Sequence, residues 1–237
     1  MRRESVVALG GIDISILKGE FIAIIGPSGS GKSTLLNLLG GLDQPTSGKV
    51  ILDGHNLSEY NEEGLAALRR QKMGFIFQRH DLFPVLTVRE NVEFPMLLNG
   101  LAVEQRHDQS GQLLNLVGLA DKADSLPEEL SGGQQQRVGI ARALANAASI
   151  LLADEPTGNL DSATSEDIID SLIALKQARN LTLIMVTHDS DVAAHADRIL
   201  QLKDGQLLPS SPTLPPMGKG VPSSFGRGQG EGNGSAK

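Results

Sequence analysis

The chain has 237 residues, 40% hydrophobic and 21% charged, the make-up of one ordinary globular domain or of a domain with a subdomain. It contains no cysteine, which excludes disulfides, thiolate metal sites and cysteine nucleophiles and fits a reducing compartment. The formal charge is −7, and the segment from Pro209 carries +2 (Lys219, Arg227 and Lys237 against Glu231), so the rest is more acidic still and argues against nucleic-acid binding through charge.

In chain order, Ile12, Ile14 and Ile16 alternate with polar residues in GIDISILKGE, which predicts a half-buried strand ending in a Lys18-Gly19 turn. FIAII is a continuous apolar strand of the kind buried on both faces, running into GPSGSGKST and then a helix stopped by Gly40-Gly41. KVILDG and KMGFIFQ read as two strands flanking the helical pattern EEGLAALRRQ. From Asp81 to Asn146 the strand signal disappears and helical periodicity dominates, with Pro84, Pro95 and Pro127 expected to punctuate the loops. Strands return with ILLAD and LTLIMVT, separated by a helix whose inner face carries Ile168, Ile169, Leu172, Ile173 and Leu175. RILQL, Asp204-Gly205 and QLL predict a closing hairpin. The whole is an α/β chain with an inserted helical subdomain at about 79–147. Pro, Gly and Ser supply 17 of the last 29 residues, so 209–237 is expected to be a disordered tail, and its GRGQGEGNG follows no strand and opens no helix. The apolar runs fall far short of the roughly 20 residues that span a bilayer, and Met1-Arg2-Arg3 leads into no signal-peptide core.

The chemistry concentrates in a few places. Gly26-Pro27-Ser28-Gly29-Ser30-Gly31-Lys32-Ser33 matches the phosphate loop G-x-x-x-x-G-K-[ST], with a buried strand before it and a helix after it, and Thr34 next to it is expected to share in holding the nucleotide. Its glycines let successive N–H groups turn towards phosphate oxygens; Lys32 is placed to reach the terminal phosphates and the Ser33 hydroxyl to ligate Mg²⁺. ILLADEP ends a second apolar strand in two acids. Asp154 suits a metal and its waters, while Glu155, expected to point elsewhere because side chains alternate along a strand, suits a general base. Gln78 and His188 end two further strands; alone, each reads as an ordinary polar residue, and a neutral imidazole at His188 is able to bond a γ-phosphate or position water. LSGGQQQR raises a separate question. Ser131 caps a helix opened by Gly132-Gly133-Gln134, whose free N–H groups suit an anion, so the chain carries two phosphate-binding features.

Taken together, the phosphate loop, Gln78, LSGGQ, ILLADEP, the NLD run Asn159-Leu160-Asp161 and His188 resemble, in order and spacing, the ATP-binding-cassette ATPase head of ABC transporters. GGLDQPTSGKV, FIFQRHDLFPVLTVRENVEFP and LADEPTGNLD are similar to the branch containing the lipoprotein-releasing ATPase LolD and the macrolide exporter MacB. The resemblance implies a phosphate-loop NTPase (RecA-like) core with an antiparallel β subdomain and an inserted helical subdomain over 1–208. It further implies ATP and Mg²⁺ as cofactors, with Ser33, Gln78 and Asp154 at the metal and Glu155, His188, Gln78 and Lys32 in catalysis. It also implies an answer to the question of two features: two copies pack head to tail, and the Ser131–Gln134 segment of each closes over the nucleotide in the other's phosphate loop, with Asp161 reaching across.

The implied partners are a second copy and integral membrane permease subunits, received near Arg79 to Val85, with a periplasmic adaptor in some such systems and no nucleic acid. The implied location is the cytoplasmic face of the inner membrane, held peripherally. Cargo would be a lipoprotein or another lipophilic or amphipathic substrate, with macrolide or peptide efflux or a division-type complex like that of FtsE as alternatives. The family's adenine-stacking aromatic has no counterpart before Phe21, which is expected to place that position upstream of Met1.

Overall fold

The computed structural model describes residues 7–79 and 81–208. The strands are β1 (Phe21–Ile25), β2 (Ile51–Leu52), β3 (His55–Asn56), β4 (Met73–Phe77), β5 (Ile150–Asp154), β6 (Thr182–Val186), β7 (Arg198–Lys203) and β8 (Gln206–Leu207). The helices are α1 (Lys32–Leu39), α2 (Glu62–Lys72), α3 (Val88–Leu98), α4 (Val103–Leu116), α5 (Gly132–Ala143), α6 (Ser162–Arg179) and α7 (Ser190–Ala193).

The main sheet runs β4-β5-β6-β1-β7-β8, parallel throughout except for β8, which turns back on β7 through Asp204 and Gly205 at positive φ. Its central strands are apolar except for Thr182 at the start of β6 and Asp154 at the end of β5, because both faces are covered. Ile22, Ile24, Leu152, Ile184 and Val186 point to the side of α1, whereas Phe21, Leu151, Ala153, Leu183 and Met185 point to the side of α3, α5 and α6. Between β4 and β5 the described residues are helical, and α3 packs on both α4 and α5.

Each helix start has a local cause. Thr87 and Glu90 form a capping box at α3, Ser131 and Gln134 another at α5, and the Asp161 carboxylate caps α6. Asn91 lies fully buried in α3 and clasps the loop before it, donating to the carbonyls of Phe83, Leu86 and Thr87 and accepting from Phe83 N. Pro95 sits inside α3.

Two segments differ from expectation. Ile12, Ile14 and Ile16 do alternate inward against the α1-side core, but among the described residues no ladder pairs them, so the burial period of a strand is present there without a strand assignment. KVILDG contributes only Ile51–Leu52, paired antiparallel with His55–Asn56 around Asp53-Gly54. The expected tail from Pro209 lies outside the described residues.

Candidate functional site

In a parallel sheet the loops that leave the carboxyl ends of neighbouring strands form one rim, and that rim is where ligands bind in open α/β folds. The register here brings the chemistry to it. Phe77 lies opposite Asp154, Asp154 opposite Val186, and Val186 opposite Ile24, so Gln78, Glu155, Thr187-His188 and Gly26 all follow at one level.

Gly26 to Gly29, Gly31 to Thr34, Glu155, His188 and the N-terminal residues Val7 and Ala8 line an open cleft of about 610 Å³. Gly31 caps α1 at φ 99, a backbone setting that L side chains rarely adopt, and this directs the first N–H groups of the helix into the cleft. Lys32 is buried, and its Nζ donates to Gly26 O at 2.9 Å and Pro27 O at 3.0 Å, so its charge is held against the loop. Ser30 is buried beneath the loop with its hydroxyl unpartnered.

The Asp154 carboxyl accepts from the Ser33 hydroxyl; burial pushes its pKa up and Glu155 adds to this, against the pull of Ser33 and Lys32. Among the described residues no group of three or more His, Asp or Glu is gathered to cage a metal alone. A carboxylate and a hydroxyl side by side next to a phosphate cradle fit a hard cation of the Mg²⁺ type, which takes few protein ligands and completes its shell with phosphate oxygens.

Glu155 does not continue the strand. Its φ is 47, its N–H donates to Val186 O at 2.9 Å, and its side chain is carried sideways to His188, with Oε2 3.2 Å from Nδ1. Strand alternation is therefore not what separates Glu155 from Asp154; a left-handed turn does it. Gln78 is exposed and its contacts run to Gly158 and Asn159 rather than to Ser33 or Asp154.

The second phosphate-binding feature lies apart. Ser131 to Gln134 do not line the cleft of their own chain. Ser131 and Gly132 are exposed at the start of α5, where Ser131 Oγ accepts from Gln134 N at 3.3 Å and Ser131 N donates to Gln134 Oε1 at 2.9 Å. Gly133 abuts the methyl of Thr164, whose N–H and hydroxyl both donate to Asp161, so the starts of α5 and α6 lie side by side. Those two donors hold the Asp161 carboxyl below its usual range.

Sequence reasoning missed three features. Val7 is 74% exposed and with Ala8 gives the cleft an aliphatic wall. The buried Asn91 had only its place in the apolar period of α3 to mark it, and the contact of Asn159 with Gln78 had no local signal at all.

Residues 9–158 match the family described as ABC transporter. The chain is 50% identical over 206 residues to a macrolide export ATP-binding/permease protein MacB of Hyphomonas neptunium, covering 87% of this chain and 32% of that protein. It is 47% identical over 209 residues to the uncharacterized ABC transporter ATP-binding protein YknY of Bacillus subtilis, covering 88% and 90%. The chain thus spans about a third of the length of the MacB relatives and nearly all of YknY. Among solved structures it resembles the dimeric post-hydrolysis cassette MJ0796 bound to ADP and Pi, with TM-score 0.81 and 44% identity over 87% of this chain and 91% of that one. It also resembles cbiO1 of Clostridium perfringens, part of the transporter complex cbiONQ, with TM-score 0.78 and 31% identity over 85% and 80%. With the phosphate loop, the strand-end acids and the capped glycine pair all in place, the chain belongs to the ABC transporter family as an ATP-binding cassette.

Proposed function

We propose that the chain hydrolyses ATP as the engine of a membrane transport complex, working as a head-to-tail pair of copies beneath membrane-spanning subunits. The observation that carries this is Glu155 turned out of β5 onto His188 at the mouth of the phosphate-loop cleft.

The roles follow from position. The N–H groups from Gly29 to Thr34 and the Lys32 ammonium hold the β- and γ-phosphates and stabilise the charge that spreads over the γ-phosphoryl oxygens. Glu155 accepts a proton from the attacking water, and His188 holds the Glu155 carboxylate and meets the γ-phosphate from the β6 side. Asp154 and Ser33 are the residues to hold Mg²⁺, with Gln78 approaching from the β4 loop. When bound, Mg²⁺ neutralises charge on the phosphate oxygens and aligns them. Ser131 to Gln134 present helix N–H groups outward, ready for the γ-phosphate in a second copy, so the complete site exists only when ATP lies between two chains. No helix among the described residues is long and apolar enough to cross a membrane.

For cargo we propose a lipophilic or amphipathic substrate, either a lipoprotein to be released or a compound to be exported. The 50% identity with MacB supports efflux as the second form of this reading. The deciding assay is release of phosphate from ATP by the purified chain with Mg²⁺: turnover that disappears in Lys32→Ala supports the engine, and no turnover in the unsubstituted chain, alone or with its membrane partners, removes it.

A further inference from the structure

We propose that Asn159 is a positioning residue that clasps Gln78 and holds its amide beside Glu155. The clasp has two arms. Asn159 Nδ2 donates to the main-chain carbonyl of Gln78 at 3.0 Å, and Gln78 Nε2 reaches back to Asn159 Oδ1 at 3.5 Å. The first arm is a well-formed hydrogen bond and the second a weak one, so the backbone of Gln78 is held more firmly than its side chain.

The surroundings give the clasp its direction. The turn after Glu155 closes when Gly158 N donates to Glu155 O at 3.0 Å, which delivers Asn159 to the β4 rim. A Cβ on Gly158 would stand 2.8 Å from Gln78 Nε2 and 3.3 Å from Glu155 Oε2, so the glutamine amide and the carboxylate converge over that glycine. On its far side the same carboxylate oxygen meets His188 Nδ1 at 3.2 Å. From within the fold, Gln136 Nε2 approaches Phe77 O at 3.5 Å, so the end of β4 is approached from below by α5 and gripped from above by Asn159. An exposed glutamine on a loop loses side-chain freedom when it is held, and it is held here by a residue 81 positions away on the loop that also carries Glu155. Movement of either loop is therefore felt by the other.

Only a side chain with both a donor and an acceptor makes both arms. Asn159→Asp keeps the size and removes the donor to Gln78 O; Asn159→Ala removes both arms. Asn159 is exposed, so neither change disturbs the core.

Because the consequence for turnover rests on the proposed ATP hydrolysis, the test has two readouts. The first is hydrogen exchange of the Gly158 backbone amide, bonded to Glu155 O on the loop that Asn159 anchors, measured without nucleotide and expected to rise by about threefold or more in both variants. The second is steady-state hydrolysis: kcat is expected to fall by about fivefold or more with KM for ATP within about twofold, because a misplaced group costs rate more than binding. On a Gln78→Ala background the same substitutions are expected to change kcat by less than about twofold. Unchanged exchange at Gly158 overturns the clasp whether or not the chain hydrolyses ATP. Equal losses of kcat with and without Gln78, or none at all, overturn its role in turnover. Absence of turnover in the parent chain would instead count against the ATPase reading and leave exchange to decide the clasp.

Discussion

Glu155 Oε2 and His188 Nδ1 stand 3.2 Å apart across the ends of β5 and β6, joined by a carboxylate that leaves its strand at φ 47. The backbone is held in that setting by the bond from Glu155 N to Val186 O, so the pair is prepared by the fold and not by a ligand. Two substitutions separate its halves. Glu155→Gln should lower turnover by about 10²-fold or more, while His188→Ala should lower it by about 10-fold or more, each with ATP binding retained. Phosphate release and equilibrium nucleotide binding, measured side by side, check both.

Asp154 offers a test through pH. Its folded pKa is raised, chiefly by burial, so the folded state holds the proton more tightly than the unfolded chain does. Stability therefore falls as pH rises from the unfolded pKa through the raised folded one, and at pH 7 the charged carboxylate is a cost to the nucleotide-free protein. Asp154→Asn should raise Tm at pH 7 by about 2 °C or more, with the gain shrinking towards pH 4, while ATP hydrolysis is lost. Thermal unfolding without nucleotide at both pH values reads this directly.

Gly74 in β4 tests the packing that carries the Gln78 loop. A Cβ there would run into the carbonyl of Ala143 at the end of α5, backbone against backbone with no flexible side chain to yield. Gly74→Ala should destabilise the chain by about 2 kcal/mol or more, read from the midpoint of denaturant unfolding.

Much of the site was legible because its chemistry is bound to strand ends. The apolar runs FIAII, ILLAD and LTLIMVT could hardly be anything but covered parallel strands, and a parallel sheet puts whatever follows them on one rim. Lys32, Asp154 and His188 came with that logic. What the residues did not reveal depended on backbone angles and on meetings between distant loops. The left-handed turn at Glu155 is invisible in ILLADEP, and strand alternation supplied the wrong reason for its direction. The clasp of Asn159 on Gln78 joins two exposed loops and leaves no periodic trace. Ile12, Ile14 and Ile16 show the reverse case, where an inward alternation that reads as a strand has no partner ladder among the described residues.

Val7 and Ala8 wall the cleft, and we propose that the nucleobase rests against them. An aromatic ring on that wall adds a stacking face worth roughly 1 kcal/mol, so Val7→Tyr should tighten ATP binding by about fivefold. Fluorescent nucleotide titration of the two proteins decides it, and equal affinities would place the base elsewhere.

The central claim is that Ser131 to Gln134 serve the nucleotide of a second copy. Sedimentation equilibrium of Glu155→Gln, with and without ATP, tests it most directly when run beside the double variant Glu155→Gln/Ser131→Arg. Glu155→Gln should sediment as a monomer alone and at twice that mass with ATP. The double variant should stay monomeric with ATP yet bind it with a Kd within about threefold, since the arginine blocks only the face offered to the partner. Loss of ATP binding by the monomeric double variant, or dimers that form in spite of the arginine, would contradict it.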